Sequence, residues 1–195
     1  MQGNQDEKTL IKKAKTGDSR SFELLIEGCQ TRAYNTAFRY LGKEEEAMDA
    51  LQESLIKVFR HLDKFKGDCK FDTWVYRIVI NTCNDMVRKK KLEKQTVSIY
   101  RETEKGEMTL EIEDESPTPP EAYERVEDGE FLLSCIEKLS PEHREIVILR
   151  DIQGFTYEEI GDILTCSPGT VKSRLNRARN KLKSVILEQV RDKNV

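Results

Sequence analysis

The stretch from residue 155 to residue 182, FTYEEIGDILTCSPGTVKSRLNRARNKL, carries two helix-start signals separated by room for one short helix. Thr156 and Glu159 have the spacing of a capping box, in which each side chain satisfies a backbone N–H of the first turn. Ser167 followed by Pro168 predicts a second start, because serine is a good N-cap and proline loses no hydrogen bond at the first helical position. The sequence therefore predicts a short helix, a tight turn and a longer helix.

The longer predicted helix has an apolar side and a basic side. At 100° per residue one narrow arc holds the apolar positions Val171, Leu175, Ala178, Leu182 and Val185. The opposite side holds Lys172, Ser173, Asn176, Arg177 and Asn180. This arrangement predicts a helix-turn-helix, whose second helix presents base-contacting residues to the major groove. An ordinary helical hairpin with a solvated basic face is the alternative.

The composition favours an all-α protein of two small domains. The chain has 195 residues, enough for one medium domain or two small ones. Charged residues make up 35%, whereas 10 glycines and 5 prolines are too few for a turn-rich β protein. We expect one helical domain over residues 1–92 and a second, containing the helix-turn-helix, over residues 128–195. A flexible, acidic, proline-containing linker over residues 93–127 is expected to join them.

The formal net charge of −3 conceals two basic regions. The first is the run from Arg88 to Lys91, and the second extends from Pro168 towards the C-terminus. Between them lies an acidic stretch with Glu102, Glu104, Glu107, Glu111, Glu113, Asp114, Glu115 and Glu121. Local positive potential attracts phosphate whatever the total charge, so this distribution predicts nucleic-acid contact at two separate places.

Several function classes lack their sequence signatures. The five cysteines (Cys29, Cys69, Cys83, Cys135 and Cys166) include no CxxC pair, and there are two histidines. We therefore expect reduced thiols, no metal and no cofactor, with a metal site or a catalytic thiol as the less favoured alternative. Without a glycine-rich phosphate loop or a nucleophile beside a base, an enzyme is not expected. No apolar run approaches the roughly 18 residues of a membrane span, so we expect a soluble, cytoplasmic protein without membrane insertion.

The helix predicted over residues 44–64 has an unusual outer face. Its inner stripe comprises Ala47, Leu51, Leu55, Val58 and Leu62. Its outer face groups Asp49, Gln52, Glu53, Ile56 and Arg60, which places an isoleucine among carboxylates. Such a residue favours a protein interface only weakly, because single exposed apolar side chains are common.

A further helix begins near the sequence Phe71-Asp72-Thr73-Trp74 and has a polar side. Its inner positions are Val75, Ile78, Val79, Thr82 and Met86, and its other side carries Arg77, Asn81, Asn84 and Arg88. Aromatic residues beside cationic ones suit single-stranded DNA, because each unstacked base gains roughly 1–3 kcal/mol by stacking on a side chain. The alternative is that the aromatic residues belong to the core.

These motifs, in this order, resemble the sigma-70 family of RNA polymerase sigma factors, specifically its compact extracytoplasmic-function members. Residues 49–53 (DALQE) are similar to region 2.2, and residues 71–78 (FDTWVYRI) to the melting motif of region 2.3. Residues 139–144 (LSPEHR) and the helix-turn-helix are similar to region 4. The resemblance covers both predicted domains.

The resemblance implies a factor that binds core RNA polymerase and directs initiation at promoters through their −35 and −10 elements. The implied contacts to the β′ clamp helices are Asp49, Gln52, Glu53 and Ile56. The implied −10 and melting residues are Phe65, Lys66, Lys70, Phe71, Trp74, Arg77, Asn81, Asn84 and Arg88. The implied −35 residues are Ser167, Pro168, Gly169, Thr170, Lys172, Ser173, Arg174 and Arg177. The β flap and an anti-sigma factor, often membrane-tethered, are further implied partners.

Two alternatives remain at this point. A stand-alone helix-turn-helix regulator would bind a palindromic operator as a dimer. The linker, by the resemblance, runs towards the polymerase cleft, where its acidic residues would mimic nucleic acid, but its composition suits plain disorder equally.

Overall fold

A computed structural model describes residues 2–101 and 120–193 of the chain, and every regular element in those ranges is helical. The helices of the first range are α1 (Gln2–Lys15), α2 (Ser19–Glu27), α3 (Gln30–Leu41), α4 (Glu44–His61) and α5 (Phe71–Arg101). A 3-10 turn, Leu62–Lys64, follows α4. Those of the second range are α6 (Pro120–Glu137), α7 (Pro141–Val147), a π-helical turn (Ile148–Ile152), α8 (Tyr157–Leu164) and α9 (Pro168–Lys193). The all-α prediction is confirmed.

The core of the first domain lies between α3, α4 and α5, while α1 and α2 pack on each other. Gly42 makes the turn from α3 to α4 possible. Its backbone is left-handed, with φ at 76°, and its N–H closes α3 on the Phe38 carbonyl oxygen at 2.8 Å. A left-handed residue ends a helix at little cost only when it lacks a Cβ. The α4 stripe then faces inward, with Ala47 and Val58 fully buried.

The second domain is arranged around α9, which packs against α6, α7 and α8. The predicted apolar arc is confirmed, since Val171, Leu175 and Ala178 are at most 1% exposed. The capping box is confirmed as well, with both hydrogen bonds between Thr156 and Glu159 present.

The two domains pack against each other, and this contact corrects the predicted inner face of α5. Helix α5 contacts α8, and α3 contacts α6 and the π-helical turn. Tyr76, Ile80 and Cys83, none of them assigned inward from the sequence, are at most 1% exposed. Because α8 covers a second side of α5, this helix is buried on more of its circumference than an amphipathic pattern predicts.

The helices extend further into the predicted linker than expected. We predicted a helix ending near residue 92, but α5 continues to Arg101, and α6 begins at Pro120 rather than after residue 127. No glycine or proline lies between residues 68 and 105, so nothing interrupts α5 when its apolar periodicity fades. Pro120 stands at the first position of α6, where its missing N–H costs nothing. The central part of the predicted linker, residues 102–119, lies outside the described residues.

Helices long and apolar enough to cross a membrane are absent from residues 2–101 and 120–193. The same ranges contain no group of three or more potential metal-ligating His, Cys, Asp or Glu residues. All five cysteines are free, and Cys29, Cys83 and Cys135 are buried.

Candidate polymerase and nucleic-acid interfaces

The turn between α8 and α9 is compact because it closes over Gly161. The Cys166 N–H donates to the Gly161 carbonyl oxygen at 2.9 Å, and Thr165 adopts left-handed backbone, with φ at 54°. A Cβ on Gly161 would lie 2.7 Å from the Cys166 carbonyl oxygen. Sequence reasoning missed this residue, although a glycine inside a short helix is costly and usually has a packing reason.

The N-terminus of α9 is capped as predicted, and its basic side faces outward. Ser167 Oγ accepts from the Thr170 N–H at 3.2 Å. Among the implied −35 residues, the exposed ones are Ser167, Pro168, Gly169, Lys172, Ser173 and Arg177. Thr170 and Arg174 are half-buried, and Arg174 Nη1 lies 3.6 Å from Glu145 Oε1. The N-terminal half of α9 therefore offers a positive surface with its backbone donors directed outward.

The outer face of α4 combines carboxylates with apolar area. Asp49, Gln52 and Glu53 are exposed, as expected, and Ile56 is 49% exposed. Sequence reasoning missed Phe59, which is 63% exposed one turn further along. Since neighbouring exposed apolar residues form a patch rather than a single residue, this face has the composition of a protein-binding surface.

The aromatic residues of the predicted melting motif form a cluster. Phe71 is 1% exposed and Phe65 is 5% exposed, so both contribute to the core. Trp74 is half-buried, with its ring centroid 5.2 Å from that of Phe65 and 5.9 Å from that of Phe71. In this conformation Trp74 is the member of the cluster that presents ring surface at the edge of the protein.

The polar side of α5 faces the second domain over part of its length. Lys66, Asn81 and Arg88 are exposed, whereas Arg77 donates to the Asp162 carbonyl oxygen and Asn84 Nδ2 donates to Glu145 Oε2 at 3.0 Å. A groove of about 700 Å³ runs between α5 and the start of α7. It is lined by Asn81, Asn84, Asp85, Val87, Arg88, Lys91, Pro141, Glu142 and Glu145. The side chains implied in −10 recognition are thus divided between solvent and an interdomain contact.

Glu145 was missed from the sequence and occupies a central place in this contact. It is 7% exposed, and burial raises the pKa of its carboxyl, while the hydrogen bond from Asn84 and the charge of Arg174 oppose that rise. The sequence did contain a signal for this burial, because Glu145 is the first residue of an otherwise apolar run, EIVIL, over residues 145–149. A buried carboxylate requires partners, and here they come from both domains.

Two family models match the chain. Sigma-70 region 2 matches residues 25–93, and Sigma-70 region 4 matches residues 132–182. The chain is an extracytoplasmic-function sigma factor of the sigma-70 family. It directs promoter-specific initiation by RNA polymerase, and the matches give no support to a stand-alone regulator.

Curated relatives of this sigma factor match it over nearly its full length. The ECF RNA polymerase sigma factor SigW of Bacillus subtilis is 33% identical over 185 residues, which is 95% of this chain and 97% of the relative. The RNA polymerase sigma-H factor of Pseudomonas aeruginosa is 31% identical over 193 residues, 98% of this chain and 100% of the relative.

Solved structures share this fold. RpoE from Bartonella quintana, in complex with the anti-sigma factor NepR, superposes with a TM-score of 0.64 at 24% identity, covering 86% of this chain and 97% of that one. CnrH, in complex with the cytosolic domain of CnrY, gives a TM-score of 0.66 at 22% identity, covering 93% and 97%. At these identities the likeness extends to the fold alone.

Proposed function

We propose that this sigma factor docks on the β′ clamp helices of core RNA polymerase through the outer face of α4. Asp49, Gln52 and Glu53 supply polar contacts, and Ile56 supplies apolar area. The observation that supports this assignment is the exposure of all four residues on one face of a helix whose opposite stripe is buried. Phe59, one turn away, extends the apolar part of the same surface.

The first domain, over residues 1–92, is assigned to −10 recognition and strand separation. The implied contact residues run from Phe65 to Arg88, and Trp74 is the half-buried aromatic residue among them. Taking a base out of the duplex stack costs about a few kcal/mol, and stacking of that base on an aromatic ring offsets this cost. The buried rings of Phe65 and Phe71 pack against Trp74 and fix its position.

The second domain, over residues 128–195, is assigned to −35 recognition through α9 and to contact with the β flap. Lys172 and Arg177 are exposed in the N-terminal half of a helix that is capped and packed on its other side. A cationic side chain that hydrogen-bonds a base edge contributes roughly 1–3 kcal/mol to discrimination. No chemical step is assigned to either domain, since the protein acts by recruiting and positioning the polymerase.

The structural neighbour RpoE, solved in complex with the anti-sigma factor NepR, supports an inhibitor for this protein as well. We place the protein in the cytoplasm, where core polymerase and promoter DNA are found. Pull-down from cells should recover an anti-sigma factor under non-inducing conditions. Recovery of polymerase alone under every condition would contradict this partner.

In-vitro transcription tests the function directly. Core polymerase with and without the protein would transcribe a genomic DNA library, and the new start sites would be mapped. We expect new starts preceded by two motifs at constant spacing. Absence of new starts, together with polymerase-independent binding to a palindrome, would reverse the assignment in favour of a regulator.

A further inference from the structure

The N-terminal helix α1 packs on a segment that carries several of the residues assigned to the −10 element. This segment, residues 62–70, comprises the 3-10 turn and the loop before α5 and is called the −10 segment below. It includes Phe65, Lys66 and Lys70. Helix α1 contacts the 3-10 turn directly. The Sigma-70 region 2 match begins at residue 25, so α1 lies outside the matched residues and its relation to the −10 segment follows from its own contacts.

Lys15, in the last turn of α1, is bound to the backbone of the −10 segment. Its Nζ donates to the Phe65 carbonyl oxygen at 2.5 Å and lies 3.4 Å from the Asp63 carbonyl oxygen. These oxygens lie at the C-terminal end of the 3-10 turn, where backbone carbonyls lack partners within the helix and carry partial negative charge. A lysine ammonium supplies three donors and a full positive charge. One side chain of α1 therefore holds the point at which the turn becomes the loop.

The loop after Phe65 has few constraints of its own. Among the described residues, the backbone of residues 66–69 forms no hydrogen bond to another backbone group. A segment with so few backbone hydrogen bonds takes its position from the groups that anchor its ends. Helix α5 anchors one end, because the Trp74 N–H donates to the Lys70 carbonyl oxygen at 3.2 Å. Lys15 anchors the other end.

The residue that Lys15 anchors also supports Trp74. Phe65 is 5% exposed, and its ring centroid lies 5.2 Å from that of Trp74 and 5.7 Å from that of Phe71. Rings in close-packed surroundings shift together, since no free volume absorbs the movement of one of them. A displacement of the Phe65 backbone would consequently alter the ring surface that the half-buried Trp74 presents to DNA.

Helix α1 also reaches towards the other end of the −10 segment. The hydrogen bond to Glu159 raises the pKa of Lys70, and the charge of Glu7 in α1 adds a smaller contribution in the same direction. Glu7 and Lys15 are eight residues apart in the sequence, which is about 12 Å along a helix. One helix thus interacts with both ends of the loop, through a cation at Phe65 and an anion on the side of Lys70.

We propose that Lys15 is a positioning residue for −10 recognition and that α1 is the support that holds the −10 segment in place for contact with DNA. Lys15 acts through Phe65 and Trp74 and touches no base. The inference rests on the proposed assignment of the −10 segment to DNA. It adds a residue and a helix that this assignment does not contain.

The first test uses the fluorescence of Trp74, which is the only tryptophan of the chain. Lys15→Met removes the ammonium and keeps a long side chain, and Lys12→Met makes the same change in charge at an exposed position one turn earlier in α1. In the free, full-length protein Lys15→Met should shift the emission to longer wavelength and increase quenching by acrylamide, whereas Lys12→Met should match the wild type. Circular dichroism verifies that both variants fold. An emission spectrum of Lys15→Met identical to that of the wild type would overturn the proposal.

The second test measures base discrimination by the polymerase holoenzyme. The probes are the non-template −10 strand of a promoter mapped by in-vitro transcription and the same oligonucleotide with one base of the element replaced. The ratio of the two affinities should fall about three- to tenfold for Lys15→Met relative to Lys12→Met, as expected for the loss of one hydrogen bond. Lys15→Arg keeps the charge and the donors and should restore most of the ratio. Equal weakening of both probes, with an unchanged ratio, would assign Lys15 to a phosphate contact and overturn the proposal.

Failure of the proposed function has a separate signature. Lys66→Ala and Lys70→Ala remove two side chains assigned to the −10 element. Unchanged binding of both oligonucleotides by these variants would show that the −10 segment does not contact DNA, and the inference about Lys15 would be wrong together with that assignment. Reduced binding by Lys66→Ala and Lys70→Ala, with an unaltered ratio for Lys15→Met, would overturn the inference alone.

Discussion

Gly161→Ala should destabilise the helix-turn-helix even though alanine is the better helix former. The added Cβ would lie 2.7 Å from the Cys166 carbonyl oxygen, closer than real Cβ contacts occur. That oxygen belongs to the backbone of the turn and cannot rotate away, so α9 has to shift relative to α8. Overpacking lowers the free energy of unfolding by about 1–3 kcal/mol. The value for Gly161→Ala should lie at the upper end of this range, because the added Cβ meets a backbone atom. Alanine recovers about 1 kcal/mol of helix propensity, which leaves about 1–2 kcal/mol of net destabilisation.

Gly129→Ala provides the matched control. Gly129 lies in α6, and nothing is within 4 Å of the position its Cβ would take. The same substitution should therefore stabilise the protein by roughly 0.5–1 kcal/mol. By thermal unfolding, Gly161→Ala should lower the melting temperature by roughly 2–8 °C, while Gly129→Ala should raise it slightly. The first variant should also weaken −35 protection in a footprint of the holoenzyme. A melting temperature for Gly161→Ala at or above that of wild type would refute the packing argument.

Three further outcomes follow from the assigned surfaces. Glu53→Lys should weaken polymerase binding at least tenfold by reversing charge on the outer face of α4, with unchanged circular dichroism; unchanged affinity in a titration would remove this face from the docking site. Arg177→Ala should lower discrimination at the −35 element by about 1–3 kcal/mol and leave −10 melting intact, whereas an unaltered footprint would assign the contact to another residue. Native alkylation should modify the half-buried Cys69 well before Cys29 and Cys83, because burial raises the pKa of each of those two thiols to about 12; equal rates would show that the core opens readily.

Local chemistry explains why the helix-turn-helix could be predicted in detail. Each capping interaction joins residues three positions apart, as between Thr156 and Glu159, so its signal is contained in a short window. The apolar arc of α9 is equally local, because helical geometry alone determines which residues share a face. The buried stripe of α4 was predicted for the same reason.

The contacts between the two domains could not be predicted in this way, because they join residues that are distant in sequence. Asn84 and Glu145 are 61 residues apart, and Lys70 and Glu159 are 89 apart. Periodicity within α5 identifies one buried side, but the Tyr76 ring packs on Phe155, which lies far along the chain in the loop before α8. Nothing within the window around Tyr76 distinguishes a side covered by a second domain from a side exposed to water.

The nearly balanced charge of the chain is the one sequence feature that agrees with a contact between the two domains. The protein has 33 basic and 36 acidic residues, so its cationic faces have acidic partners available within the same molecule. A domain with strong net positive charge would repel a second basic domain, whereas α8 brings Glu159 and the Asp162 carbonyl oxygen to the cationic side of α5. The acidic residues of this sigma factor therefore allow its two domains to pack directly, although each domain carries a cationic surface assigned to DNA.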